Sequence, residues 1–429
     1  MSQGSPRKRR VRPAAAGGRA STRRRGASGS PHDDDQALFA GDCPRYVVDL
    51  DAPSEERWGH IVRAYADELP GVLGLADEML GKWGAGAIAP LLTGAARVGF
   101  VQHGAELRGV AEAAGMSVGR VVMLQIAYEA FAACTSIVVN GADGRPLHIR
   151  TMDWEMPDLM PLTIEVDFVK GGELQYRATT WAGYVGVLTG LRPGAFSVSV
   201  NYRRTTVMND NPIRAFATNL RRGLARHWPV SFLVREALES CTDFQSGLTA
   251  LATSELIAPV YLTICGVKPG EGAILTRDRE GVAGGAESIL CRLEYDAAAR
   301  ATASLLSEVA VGDGALVQAN MDCWRADVSG AASSSHDWQD ICDSRRRRHF
   351  ALLALKSLRS APDMIDLWKL MSLAPCLAHD TVYTTSMDPG SGELVTRVAV
   401  TAAQRQAGRK QYGGIRVRNS GRSSGATRQ

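Results

Sequence analysis

The stretch CTSIVVN (134–140), GADG (141–144) and RPLHIRTMDW (145–154) reads as two β-rich runs joined by a turn, and it starts abruptly. Upstream, from Pro44 to Phe131, the pattern is mainly helical. Ser54 is placed to cap a helix whose first turn holds Glu55 and Glu56, and Ser117 opens a second cap before VGRVVMLQIAYEAF. Downstream the alternation is that of strands: PLTIEVDFVKGGELQYRATTW, then FSVSVNYR, with Gly-Gly and Pro-Gly turns. Helix returns at Pro229–Ser254 and Arg345–Leu358. Strands return at APVYLTICGVKPGEGAILTR, VQANMDCW and HDTVYTT. Helices and strands come in blocks, and the strands are linked as hairpins. That order predicts an α+β layered fold with antiparallel sheets.

Hairpin geometry brings chemistry to the start of the first strand. A two-residue Asp143-Gly144 turn sets Cys134 opposite Asp153, whereas a four-residue GADG loop sets it opposite Thr151. Either register leaves Arg150 and Asp153 within a residue or two of Cys134, inside side-chain reach across a ladder. An adjacent guanidinium stabilises a thiolate, and a carboxylate can hold a nearby amine. His148 shares a face with Arg150 and not with Asp153, and reads as a satisfied structural histidine.

Composition excludes several classes. The 429 residues are 45% hydrophobic and 22% charged, as in a globular protein. The net charge of +4 sits in the ends: PRKRRVRP and TRRRG before His32, and QRQAGRKQYGGIRVRNSGRSSGATRQ after Ala402. Both ends read as disordered for want of apolar residues to bury. Their single aromatic, Tyr412, is too little for a base-stacking surface, so no nucleic-acid partner is expected. There is no apolar run of about 18 residues, no hydrophobic segment behind the basic start, and no Asn-x-Ser/Thr sequon. The Gly-dense AGYVGVLTG lies among strand residues, and the eight cysteines lack zinc-ligand spacing. No cofactor or metal is therefore expected. The sequence leaves the compartment unknown.

The ordered motifs resemble one family over Pro44 to about Val398. They are CPRYVVDLDAPSEERW (43–58), YEAFAACTSIV (128–138), GRPLHIRTMD (144–153), PLTIEVDF (161–168) and WAGYVGVLTGLRPGAFSVSVNYR (181–203). HWPVSFLVREALE, LIAPVYLTICGVKPGEGAILTRDREG, NMDCW, DSRR and TVYTT follow in order. This set is similar to the acid ceramidase and N-acylethanolamine-hydrolysing acid amidase family, relatives of the choloylglycine hydrolases. The resemblance implies a four-layer αββα N-terminal-nucleophile hydrolase, preceded by a helical α-subunit segment. The implied organisation is a basic tail (1–43), the helical segment (44–133), the catalytic part (134–401) and a second tail (402–429). It implies self-cleavage between Ala133 and Cys134 into an α/β heterodimer, with Cys134 as nucleophile and its freed α-amine as base.

Carried over by motif, Arg150 and Asp153 are the family's catalytic Arg and Asp. Asn320 matches the oxyanion-binding Asn, and Arg345, in DSRR, the second active-site arginine. The implied reaction is amide hydrolysis of an N-acyl lipid, of ethanolamide or ceramide type. The alternative is a catalytically weak lipid-binding relative. The resemblance also points to a lysosomal or other acidic compartment. The Trp83–Ala96 stretch is a candidate to line an acyl channel or to touch a membrane surface. Four positions depart from the family pattern. Ile149 and Thr151 replace the Gly and Asn of its HGRN-x-D, Tyr202 replaces a Glu linked to self-cleavage, and Met321 replaces a Tyr.

Overall fold

The hairpin that opens at Cys134 lies inside the first of two sheets. The computed structural model describes residues 39–69, 85–131, 133–203, 218–219, 221–223, 225–279, 290–293, 314–322 and 335–399. In the first sheet, β3 (Ala133–Asn140) and β4 (Pro146–Asp153) are flanked by β12 (Ala315–Gln318) on the β3 side. On the β4 side follow β13 (Thr381–Asp388), β14 (Glu393–Ala399) and β1 (Phe39–Asp42). Every pairing is antiparallel. The second sheet runs β2 (Arg45–Asp49), β5 (Thr163–Lys170), β6 (Glu173–Trp181), β7 (Thr189–Arg192), β8 (Phe196–Tyr202), β9 (Val260–Cys265), β10 (Gly272–Arg277) and β11 (Leu290–Arg292). It is antiparallel except where β2 joins β5.

The alternation of β3 and β4 decides what lies on each face. Ile137, Val139 and Ile149 pack outward with Ala351 and Leu352 of α7 (Ser335–Ser357) and Leu367 and Met371 of α8 (Met364–Met371). Ser136, His148 and Arg150 point inward to β8 of the second sheet. The second sheet's other face is covered by α5 (Val230–Ser240) and α6 (Phe244–Thr253). The layers are therefore helix, sheet, sheet, helix.

The helical segment holds α1 (Gly59–Ala64), α2 (Ala85–Arg97), α3 (Gly104–Ala113) and α4 (Val118–Phe131). α3 buries Leu107, Val110 and Ala111, spaced three and four residues apart, against the core. Gly109 lets it approach the loop before α1, since a Cβ there would lie 1.8 Å from the Glu55 carbonyl oxygen. Glu106 ties this segment to the rest of the chain. Its carboxylate accepts from Arg235 Nη1 and Nη2 of α5 at 2.7 and 2.8 Å, from Trp58 Nε1 at 2.6 Å and from Arg57 Nη1 at 2.9 Å. Burial opposes its charge, but Arg235 outweighs that and holds the carboxyl down at about 2.

Two short elements differ from the sequence reading. Phe39–Asp42 was assigned to the basic tail and Arg45–Asp49 to the helical segment, yet both are strands. Their partners, β14 and β5, lie far along the chain, so no local pattern announces them. The hairpin register also falls between the two alternatives. Asn140 pairs with Pro146 and Cys134 with Met152, because the connection spans Gly141–Arg145. Gly144 takes a φ of 78° in that turn. The chain ends outside 39–399, Trp83 and Ala132 lie outside the described residues.

Candidate active site

The register sets the site. With Cys134 opposite Met152, the inward face carries Cys134, Met152 and Arg150, and the outward face carries Asp153 and Thr135. Arg150 and Asp153 thus flank Cys134 from opposite sides of one hairpin. On the inward side, Arg150 Nη2 is 3.1 Å from Cys134 Sγ and 2.7 Å from the Val200 carbonyl oxygen. Its Nη1 donates to Tyr383 Oη at 3.0 Å. Cys134 and Arg150 are fully buried. A guanidinium fixed at that distance favours the thiolate.

On the outward side, Asp153 accepts from Thr381 Oγ1 at 2.7 Å and from Arg347 Nη1 at 3.2 Å. Burial raises its pKa to about 6, with Arg347 pulling the other way and Asp380 adding to the rise. A folded-state pKa above the unfolded value has a fixed consequence. The stability that this carboxyl contributes is complete below about 4 and is lost as pH rises through about 6. Asp153→Asn mimics the protonated form at every pH. The variant should therefore gain stability relative to the natural protein as pH rises from about 4 to about 7. Urea unfolding of both proteins across that range checks it, and a flat difference would contradict the assignment.

Arg347, on α7, is the residue that sequence reasoning missed. Its Nη1 also donates to the Cys134 carbonyl oxygen at 2.7 Å and to Thr135 Oγ1 at 2.8 Å, and its Nη2 to Asn320 Oδ1 at 3.0 Å. Arg345 is exposed and does not join the other four. The physical reason is the helical period. Among the described residues α7 buries Ser344, Arg347, Ala351 and Leu352, at a helical spacing of three and four from Ser344 to Ala351, so Arg345 falls on the solvent side. The apolar run Ala351-Leu352, counted back one turn, was the available signal.

Asn320 does come to the site. Its Oδ1 accepts from the Cys134 backbone N–H at 2.7 Å, and its Nδ2 donates to the Tyr202 carbonyl oxygen at 3.0 Å. Two donors converge on the oxygen and one carbonyl faces the nitrogen, which fixes the amide's orientation. In the intact chain Asn320 therefore holds the nitrogen of Cys134, where the resemblance implied an oxyanion donor. The backbone on both sides of Asn320 is clamped. Asn201 Nδ2 donates to the Gln318 and Ala319 carbonyls at 3.0 and 3.3 Å, Ser344 Oγ accepts from Asn320 N at 2.8 Å, and Arg203 grips Asp322 at 2.8 and 3.0 Å.

His148 supports this frame from behind. Its ring bonds Ser197 and Ser199 hydroxyls, both at 2.9 Å, and Ser199 bonds Ser136, which donates to Asn201. Burial, with Arg150 alongside, pushes the imidazole pKa down to about 3, so the ring is neutral.

Comparison with known proteins identifies the family of the chain. The chain is 30% identical over 371 residues to a Caenorhabditis elegans N-acylethanolamine-hydrolyzing acid amidase, covering 82% of this chain and 91% of that protein. The chain belongs to the N-acylethanolamine-hydrolyzing acid amidase family. Residues 41–100 match the family model described as the beta subunit of N-acylethanolamine-hydrolyzing acid amidase. An acid ceramidase of Balaenoptera acutorostrata scammoni is 31% identical over 263 residues, 56% of this chain and 65% of that protein. A solved Caenorhabditis elegans ortholog of this amidase superposes with a TM-score of 0.47 at 32% identity, over 60% of this chain and 93% of that one.

An apolar cavity of about 660 Å³, its open mouth included, lies beside the cluster around Cys134. Val62, Val110 and Leu124 of the helical segment form one wall; Trp154, Leu159 and Trp181 form the other. Trp154 directly follows Asp153. The Trp181 ring lies 5.9 Å from Trp154 and 6.0 Å from Tyr383, whose ring carries the Arg150 guanidinium at 5.5 Å.

Proposed function

We propose that this chain hydrolyses the amide bond of N-acyl lipids, of ethanolamide or ceramide type, after cutting itself between Ala133 and Cys134. The observation that carries the reading is the pairing of a buried Cys134 Sγ with Arg150 Nη2 at 3.1 Å while Asn320 Oδ1 holds the Cys134 nitrogen at 2.7 Å. One residue thereby supplies thiol and future amine, both fixed by side chains. In the cut, Sγ attacks the Ala133 carbonyl carbon, the acyl group moves from N to S, and water hydrolyses the thioester. This leaves a free Ala133 carboxylate and a Cys134 α-amine.

In turnover the amine takes the thiol proton, and an α-amine titrates near ~8, low enough to do so. The thiolate then attacks the substrate carbonyl carbon. The leaving amine departs with that proton, and water frees the fatty acid from the thioester. Asn320 and Arg347 position the Cys134 nitrogen and carbonyl, and Asp153 holds Arg347.

The substrate class follows from the cavity. Its wall is built of apolar and aromatic side chains suited to an alkyl chain. Each methylene seated there gains roughly 0.8 kcal/mol. Palmitoyl, octanoyl and acetyl amides of one fluorogenic amine should therefore show kcat/KM falling steeply in that order. Equal values across the series would overturn the acyl-lipid reading.

A membrane-surface contact belongs to the same proposal. Leu91, Val98 and Phe100, on and just after α2, are 52%, 68% and 49% exposed, and Arg226 lies over the Phe100 ring at 5.8 Å. Exposed apolar side chains beside a cation suit the boundary of an anionic bilayer, from which an N-acyl lipid would be drawn.

A further inference from the structure

The motif TVYTT contributed to the resemblance without giving the site a residue, yet its tyrosine meets the arginine beside the thiol. Cys134 pairs with Met152, and Met152 with Tyr383, so the three form one row across β3, β4 and β13. Arg150 lies two residues from Met152, on the same face of β4. Its guanidinium reaches Cys134 Sγ through Nη2 at 3.1 Å and the Tyr383 hydroxyl through Nη1 at 3.0 Å. Tyr383 is fully buried, and its hydroxyl also bonds Thr189 Oγ1 of β7, in the opposite sheet, at 2.9 Å. Trp181 packs against its ring, with centroids 6.0 Å apart. The phenol is thus held from two sides besides the arginine. Burial raises its pKa, so Oη keeps its proton and offers lone pairs to a guanidinium that can only donate.

What the hydroxyl supplies is orientation. A guanidinium is a rigid planar fork. The Val200 carbonyl oxygen holds Nη2 at 2.7 Å, and the Tyr383 hydroxyl anchors the other nitrogen, so the plane is set with Nη2 directed at Sγ. A buried donor that loses its acceptor is disfavoured, so without this hydroxyl the fork would turn away from its present plane. Resting on the N-terminal-nucleophile reading above, we propose that Tyr383 is a positioning residue whose hydroxyl holds the Arg150 guanidinium on the Cys134 thiol. Its effect passes through Arg150 to the thiolate, which an adjacent guanidinium favours. The other charged or titratable groups nearby stay as they are when the hydroxyl is removed. His148, also on β4, is a neutral ring held by two serines, and Asp153 and Arg347 bond each other on the outward face. The α-amine of the cut protein is common to every variant.

Tyr383→Phe keeps the ring and removes the hydroxyl. Thr189→Val removes the anchor of that hydroxyl in the opposite sheet, leaves Tyr383 and Arg150 in place, and serves if the first variant does not fold. With the palmitoyl amide of the fluorogenic amine, kcat should fall about tenfold in Tyr383→Phe, the scale of one hydrogen bond, with KM within about twofold. Cys134 alkylation by iodoacetamide, followed against pH by peptide mass spectrometry, reads the thiolate directly. Its midpoint should move up by about one pH unit in Tyr383→Phe, and in the same direction by less in Thr189→Val. A packing role alone would leave the midpoint where it is. An unchanged midpoint in folded Tyr383→Phe, or in Thr189→Val where Tyr383→Phe does not fold, overturns the proposal. Failure of the wider reading is separable. It would appear as a natural protein that stays one chain and hydrolyses no amide, and the alkylation midpoints would still decide whether Tyr383 acts on the thiol.

Discussion

Cys134→Ala should leave the protein as a single chain on a denaturing gel and lower amide hydrolysis on the order of 10⁴-fold or more, as loss of a covalent nucleophile does. The natural protein should give two bands after incubation at mildly acidic pH, the larger starting Cys-Thr-Ser-Ile-Val. The two losses are coupled by construction. In the proposed mechanism the thiol that cuts the Ala133–Cys134 bond is the thiol of turnover, and the cut creates the amine that serves as its base. Cys134→Ser keeps a weaker nucleophile and should cut slowly. The pieces should stay together after the cut, because Glu106 of the helical segment is gripped by Arg235 beyond the junction at 2.7 and 2.8 Å. N-terminal sequencing checks the cut, and the fluorogenic assay checks turnover. Hydrolysis of N-acyl amides by a chain that remains whole would show that Cys134 does not act as an N-terminal nucleophile.

How much of this was legible in the sequence depended on the range of the interaction. The change from helical to alternating pattern at Cys134 is local, and it located both the hairpin and the layered α+β fold. Arg150 could be placed beside Cys134 because two strands joined by a short turn bring their ends together in any register. The register itself was not legible. The Gly141–Arg145 connection is one residue longer than GADG, and a shift of one residue exchanges the faces of a strand. That shift is why Asp153 lies on the outer side, bonded to Arg347 and away from the thiol itself. The edge strands Phe39–Asp42 and Arg45–Asp49 were hidden because their partners are distant in sequence. Asn320 was found by motif, yet its orientation depends on Tyr202 and Arg347, which meet it only in three dimensions.

Arg347→Gln should be strongly destabilising and should impair both cutting and turnover, whereas Arg345→Gln should change stability by no more than about 0.5 kcal/mol and leave both steps intact. The contrast comes from two neighbouring positions of one helix. Arg347 is 6% exposed and is the cation facing the buried Asp153, as well as a donor to the Cys134 carbonyl at 2.7 Å. Removing one member of a buried ion pair leaves the other charge uncompensated, at a cost of about 3–5 kcal/mol. The pH dependence carries a further check. Arg347 holds the Asp153 pKa below where burial alone would put it, so the guanidinium matters most where Asp153 is ionised. The penalty of Arg347→Gln should therefore be larger at pH 7.5 than at pH 5, on either side of the pKa near 6. Arg347→Lys keeps the charge but loses the fork that reaches Asp153 and Asn320 together, and should fall between. Urea midpoints at the two pH values measure the penalty, and band conversion on a gel measures the cut. If Arg345→Gln abolished cutting while Arg347→Gln spared it, the placement of α7 against β3 and β4 would be wrong.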